Sequence, residues 1–136
     1  MNKIILDQKD RVNNWLWKRV GRESPFVKFY AIGVERKGRL IGGVVFDSFE
    51  TGVRCSMHCA GIETNWCTKA LLKACFDYVF NFSNCKVVIN TVSSANEQSI
   101  EFTKHVGFKE MTRIKDGASN GDLVVLALHK EDCRWI

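Results

Sequence analysis

Residues 87–108 read Val-Val-Ile-Asn-Thr-Val-Ser-Ser-Ala-Asn-Glu-Gln-Ser-Ile-Glu-Phe-Thr-Lys-His-Val-Gly-Phe, and the rest of the chain is organised around them. Val87, Val88 and Ile89 form a β-branched apolar run, the pattern of a strand covered on both faces and paired in parallel. Ser93, Ser94 and Asn96 are N-cap residue types, and Glu97 puts a negative charge in the first helical turn. Ser99, Phe102 and Val106 recur at helical spacing, which predicts one inward face. Gly107 ends the helix, because a left-handed terminal residue costs glycine least. Phe108 then returns to the core.

Upstream, the spacing predicts a helix over 66–82. Its polar residues Lys69, Lys73, Asp77 and Asn81 fall every fourth position, and nearly everything else is apolar. Such a helix is buried along most of its girth. It also supplies the right-handed crossover that parallel strands at 53–60 and 85–92 require. An elbow, Gly61–Asn65, precedes it. Before that, alternation predicts a meander of strands over 26–36, 40–46 and 53–60, turning at Lys37-Gly38 and around Glu50-Thr51-Gly52. Gly42-Gly43 marks either a bulge or a close approach of another group.

Val12, Leu16 and Val20 give a first helix over 7–20, started by Asp7 and Asp10 and stopped at Gly21. Downstream, strands at 108–114 and 122–129 flank a turn-rich 116–121, and the apolar Leu123–Leu128 marks a strand that is central or well covered. The tail Cys133-Arg134-Trp135-Ile136 is bulky enough to dock on the body or on a partner.

With 136 residues, 46% hydrophobic and 26% charged, the composition is that of a folded domain with its own core, which excludes wholesale disorder. One domain over 1–136 is expected. No stretch could span a bilayer and Ile4-Ile5-Leu6 is too short for a signal peptide, so a cytoplasmic location is expected.

Cys55 and Cys59 stand about 13 Å apart along a strand, and Cys67 and Cys75 about 12 Å apart along a helix. Neither pair closes a disulfide or shares a metal, so reduced thiols and no metal site are expected. The net charge of +5 leaves nucleic acid open as a partner, but the basic residues are scattered and equally suit an anionic cofactor. Nothing in the sequence excludes a homodimer.

The unit at 87–108 resembles the C-terminal half of the GNAT superfamily, the acyl-CoA-dependent N-acetyltransferases. Asn96, Ser99, Phe102 and Gly107-Phe108 match its pattern of Asn, a small residue, an apolar residue and Gly-Phe. The resemblance implies an α/β fold, a central mixed sheet flanked by helices, with the strands at 53–60 and 85–92 parallel and splaying apart. It implies acetyl-CoA as co-substrate and a primary amine, on a protein or a small molecule, as acceptor. The pyrophosphate would lie over 61–69, near Trp66, Cys67, Thr68 and Lys69. Met57 and His58 would offer backbone groups to the pantetheine, with Asn96 and Phe102 on its other side.

Two departures stand out. The family's glycine loop is replaced by Gly61-Ile62-Glu63-Thr64-Asn65-Trp66-Cys67-Thr68, which resembles small phage-encoded members with a Trp-x-Thr helix start; a phage-encoded chain would work in the host cytoplasm. Many members also carry a tyrosine acid where this chain has Thr103, whose hydroxyl would bond the thioester sulfur or hold a water, so either slow turnover with a solvent-derived proton or no catalysis at all is expected. His58 is the first candidate base, against the plainer reading of a histidine satisfied by a backbone partner, and Glu63 the second. The alternative function is a GNAT-like adaptor, weakly active or inactive, that contacts a protein or nucleic acid.

Overall fold

The apolar residues of 54–61 and 87–93 lie at the centre of a seven-stranded sheet in the computed structural model, which describes residues 1–136. The elements run β1 (Lys3–Ile5), α1 (Lys9–Leu16), β2 (Phe29–Arg36), β3 (Arg39–Glu50), β4 (Arg54–Gly61) and α2 (Lys69–Phe76). A π-helical segment Asp77–Phe82 extends α2, followed by β5 (Val87–Ser93), α3 (Glu97–Val106), β6 (Lys109–Ala118) and β7 (Gly121–His129). The strand order is β1-β2-β3-β4-β5-β7-β6. Only β4 and β5 pair in parallel, through the crossover that α2 provides. The mixed sheet and its helices on both faces agree with the sequence reading, and β7 is an interior strand, covered on both edges by β5 and β6.

Two cores sandwich the sheet. One face carries Val12, Leu16, Phe26, Ala31, Leu40 and Val45 beneath α1. The other packs Val44, Phe46, Cys55 and Met57 against Leu71, Phe76 and Phe80 of the long helix and Ile100 and Val106 of α3. Alternation along β4 sorts its residues between them: Cys55, Met57 and Cys59 face α2, whereas Ser56, His58 and Ala60 face α1.

Several boundaries differ from the sequence reading. The helix expected from 66 begins at Lys69, because Thr68 caps it by accepting a hydrogen bond from Leu71 N at 3.2 Å. The helix expected over 7–20 ends at Leu16 and continues as turns to Gly21. Inside it, Asn13 is buried and holds the following loop, with both its amide groups bonded to the Phe26 backbone at 3.0 and 3.1 Å. β3 runs on to Glu50, and β6 extends through residues read as turn, with register shifts at Glu110/Thr112 and Ile114/Ala118. Such bulges blunt an exposed edge strand. β1, a short strand added at the far edge of β2, has too few residues to show a period. The inward stripe of α3 is Ile100, Thr103 and Val106, leaving Ser99 and Phe102 half-buried on its flank.

The glycine pair resolves as a close approach. Gly42 pairs with Gly61 across β3 and β4, and a Cβ on either would overlap the Trp66 indole lying on them. Gly43, on the opposite face, receives Val12 of α1 in the same way. The tail docks on the body: Trp135 Nε1 donates to Val106 O at 2.7 Å and Arg134 caps the same C-terminal turn of α3.

Candidate functional site

β4 and β5 are paired only from Arg54–Ser56 against Val87–Ile89. Beyond Ser56 they diverge, while β4 stays paired with β3 as far as Gly61 and β5 with β7 as far as Ser93. Alternate backbone groups of residues 57–61 therefore face a gap instead of a strand partner. Two adjoining cavities of about 300 and 290 Å³ fill this gap and share Arg19, Cys59, Asn96 and Ser99. The gap is lined toward α1 by Arg19, Val20 and His58 and on the other side by Trp66 and α3.

On the α1 side stands His58. Its Nε2 lies 2.7 Å from Oδ1 of Asp47, two residues along β3 from its cross-strand partner Val45, and Phe26 covers the ring at a centroid distance of 4.8 Å. The two side chains are 27% and 17% exposed, so the pair is sheltered but reachable from the first cavity. Its partner is a carboxylate and not the backbone. A carboxylate on one ring nitrogen fixes the tautomer and stabilises the imidazolium, the arrangement a general base requires. Asp47 was not singled out from sequence. The available signal was an aspartate ending an otherwise apolar run and brought diagonally opposite His58 by a hairpin.

On the other side, Trp66, Asn96 and Phe102 meet in the second cavity. The Trp66 and Phe102 rings stack at 5.7 Å, closing that end of the gap. Asn96 caps α3 by accepting from Ser99 N at 3.1 Å, so its amide NH₂ remains available to the cavity. The other sequence candidates fall outside it. The Met57 side chain is buried under α2, so only its backbone can serve the gap. Cys67 packs against the core, and Lys69 is exposed on the first turn of α2. With Leu71 N capped by Thr68, the amides of Lys69 and Ala70 are the helix's free N-terminal donors.

Thr103 is 2% exposed; its hydroxyl donates to Ser99 O at 2.8 Å and accepts from Asn90 Nδ2 at 3.5 Å. The resemblance set Thr103 where many family members carry a tyrosine acid, but on the buried stripe of α3 its hydroxyl turns away from the cleft. Ser99 and Asn90 line the cavity in its stead. Glu63 pairs with Arg39 at 3.3 Å on the surface, away from both cavities. Neither tyrosine reaches the gap: Tyr30 and Tyr78 stack on each other at 3.5 Å elsewhere.

The cysteines are all free. Cys55 lies beside Cys85, and Cys59, Cys67 and Cys75 cluster under α2. Burial pushes the Cys59 and Cys67 thiols up to about 12, so Cys59, though it borders both cavities, is a neutral wall. A larger, open groove of about 730 Å³, lined by Lys86, His129 and Lys130, lies at the opposite end of β5 and touches no part of the gap.

No family model and no curated protein matches the sequence. Solved structures do. A probable acetyltransferase is similar at 19% identity and TM-score 0.66 over 77% of this chain, which spans only 64% of that protein's length. A variant of spermidine N-acetyltransferase SpeG from Vibrio cholerae matches 96% of this chain and 94% of its own, at 13% identity and TM-score 0.72. N-acetyltransferase PseH from Campylobacter jejuni, solved with acetyl coenzyme A, matches at 15% identity and TM-score 0.58 over 77% of this chain and 70% of its own. With an acetyltransferase of Bacillus anthracis assigned to that family also among the matches, this chain has the fold of the GNAT acetyltransferases.

Proposed function

We propose that this chain is an N-acetyltransferase that moves an acetyl group from acetyl-CoA to a primary amine. The observation that carries the proposal is the β4–β5 gap, with the His58–Asp47 pair toward α1 and Trp66, Asn96 and Phe102 on its other side. The residues present fit the coenzyme. Unpaired backbone groups of 57–61 suit the amide-rich pantetheine, Asn96 offers a polar contact, and the amides of Lys69 and Ala70 suit the pyrophosphate. Trp66 and Phe102 form the wall beside it.

Bound acetyl-CoA supplies a thioester whose acyl carbon the amine nitrogen attacks. The C–N bond forms and the C–S bond breaks. His58 takes the proton that the amine loses, and Asp47 holds the ring and stabilises its charge. A cleft-facing N–H of β4 donates to the developing oxyanion. The thiolate takes its proton from water or through Ser99, since the Thr103 hydroxyl is already engaged.

Thermal melting with acetyl-CoA tests the coenzyme site: at one hundred times the dissociation constant, stability should rise by about 2.7 kcal/mol. His58→Ala should then lower kcat by roughly 10²- to 10³-fold without weakening coenzyme binding. A protein indifferent to acetyl-CoA, or a His58→Ala variant of full activity, would contradict the proposal.

A further inference from the structure

The cavity wall facing α1 has a charge pattern that selects among amines. The two cavities of the gap and a third, of about 510 Å³ along α1, all share Arg19, and not one of the three is lined by a carboxylate. The third adds Arg11 and Arg39, but Glu35 neutralises the first at 2.6 Å and Glu63 the second at 3.3 Å. Arg19 forms no ion pair. Its Nη1 donates to Trp15 O at 2.7 Å, and its guanidinium stacks on the Trp15 ring at 4.1 Å, which holds it at the mouth of the gap. A stacked, backbone-anchored guanidinium with donors to spare is built to receive a planar anion. Asp47, the carboxylate beside His58, is committed to it. A second positive charge on the acceptor would therefore meet Arg19 with nothing to balance it.

Resting on the acetyltransferase reading, we propose that the acceptor is an amine bearing a carboxylate close to the nitrogen, as in a free α-amino acid, and that Arg19 is the residue that selects it. The carboxylate pairs with Arg19 while the amine points at His58; both residues line one cavity of about 300 Å³, which limits how far apart the two groups can be. The same charge pattern excludes polyamines.

The full chain is assayed for release of the CoA thiol from acetyl-CoA with the common L-amino acids, the matching L-amino acid amides, and spermidine. The amides keep the amine and side chain but lose the negative charge. At least one free acid should exceed its amide in kcat/KM by about 10- to 100-fold, the worth of a hydrogen bond to a charged group, and spermidine should be inert. Arg19→Ala should abolish that preference by raising KM, with kcat and acetyl-CoA affinity held, and Arg19→Lys should restore part of it. Equal use of acids and amides, or preference for spermidine, would overturn the proposal. So would an Arg19→Ala variant in which acetyl-CoA affinity falls as much as acceptor use, since Arg19 would then serve the coenzyme's phosphates. Saturation-transfer NMR of the same compounds without coenzyme separates the two readings. If acetyl-CoA does not bind, the acetyltransferase reading fails, while Arg19-dependent binding of a free acid still supports Arg19 as the carboxylate-selecting residue; no such binding overturns it.

Discussion

Asp47 and Thr103 show how one strand or helix position decides whether a side chain does chemistry. Asp47 sits where β3 meets the site, with its carboxylate 2.7 Å from His58 Nε2, and on the proposed reading it orients that ring as the base. Asp47→Asn keeps the size but loses the charge that stabilises the imidazolium; kcat should fall by roughly 10-fold or more, with acetyl-CoA affinity unchanged in titration. Thr103 belongs to the core. Thr103→Val leaves the buried Asn90 amide without its acceptor, which should cost about 1–3 kcal/mol in denaturant unfolding. On the geometry of α3, its turnover should stay within about twofold once folded, because the lost hydroxyl already serves Ser99 O. A large rate loss at unchanged stability would return Thr103 to the chemistry. The sequence reading named Thr103 without its place in the fold and passed over Asp47. Register across a hairpin and the rotation of a helix about its axis are tertiary facts, and Ser99-Phe102-Val106 and Ile100-Thr103-Val106 are equally good helical stripes until the core selects one.

At the scale of elements, the elbow 61–68 is where this chain is most its own. Trp66 lies flat on the Gly42–Gly61 pair and stacks against Phe102, so one indole ties β3, β4 and α3 together at the end of the gap. Gly61→Ala places a methyl inside that ring's footprint. Trp66 must leave, and the change should cost about 1–3 kcal/mol as overpacking does. A shift in tryptophan emission together with weaker acetyl-CoA binding would mark the displacement; unchanged emission would show that the stack is not in place. The glycine pair was visible in the sequence as a close-approach signal, whereas its occupant, 24 residues from Gly42 in Trp66, was not. Strand alternation, the stop at Gly107 and the apolar girth of 66–82 were legible because each is a local pattern with a period. Asn13 carries no such pattern. Asn13→Ala removes both bonds to Phe26 and should destabilise the chain by about 2–3 kcal/mol, loosening the ring that covers His58.

The molecule as a whole is a sheet with two cores, and its thiols report on one of them. Burial raises all six thiols above their ordinary value, so each stays protonated in the folded chain at pH 8. Labelling by a thiol reagent should be slow in the native state and complete on unfolding in urea. The linkage has a definite sign. A folded-state pKa raised above the unfolded value of about 8.5 means the folded chain binds more protons above that pH. The contribution is fully present below about pH 8.5 and is lost as pH rises toward the value of about 12 at Cys59 and Cys67, so unfolding midpoints should fall across that window. Stability unchanged between pH 8 and 10.5 would contradict the burial. Spacing set Cys67 and Cys75 about 12 Å apart along one helix, but Cys67 precedes α2 and folds back beside Cys75 and Cys59. Nor could spacing foresee that folding sets Cys55 beside Cys85.

The central claim, that the splayed gap between β4 and β5 receives acetyl-CoA, is tested most directly by titrating acetyl-CoA into isotope-labelled protein and following backbone amide resonances. The account predicts saturable shifts at Met57–Gly61, at Asn96–Ser99 and at Lys69–Ala70, with the Trp66 indole moving as well. Shifts confined to Lys86, His129 and Lys130 around the larger groove, or no saturable shift at all, would contradict it.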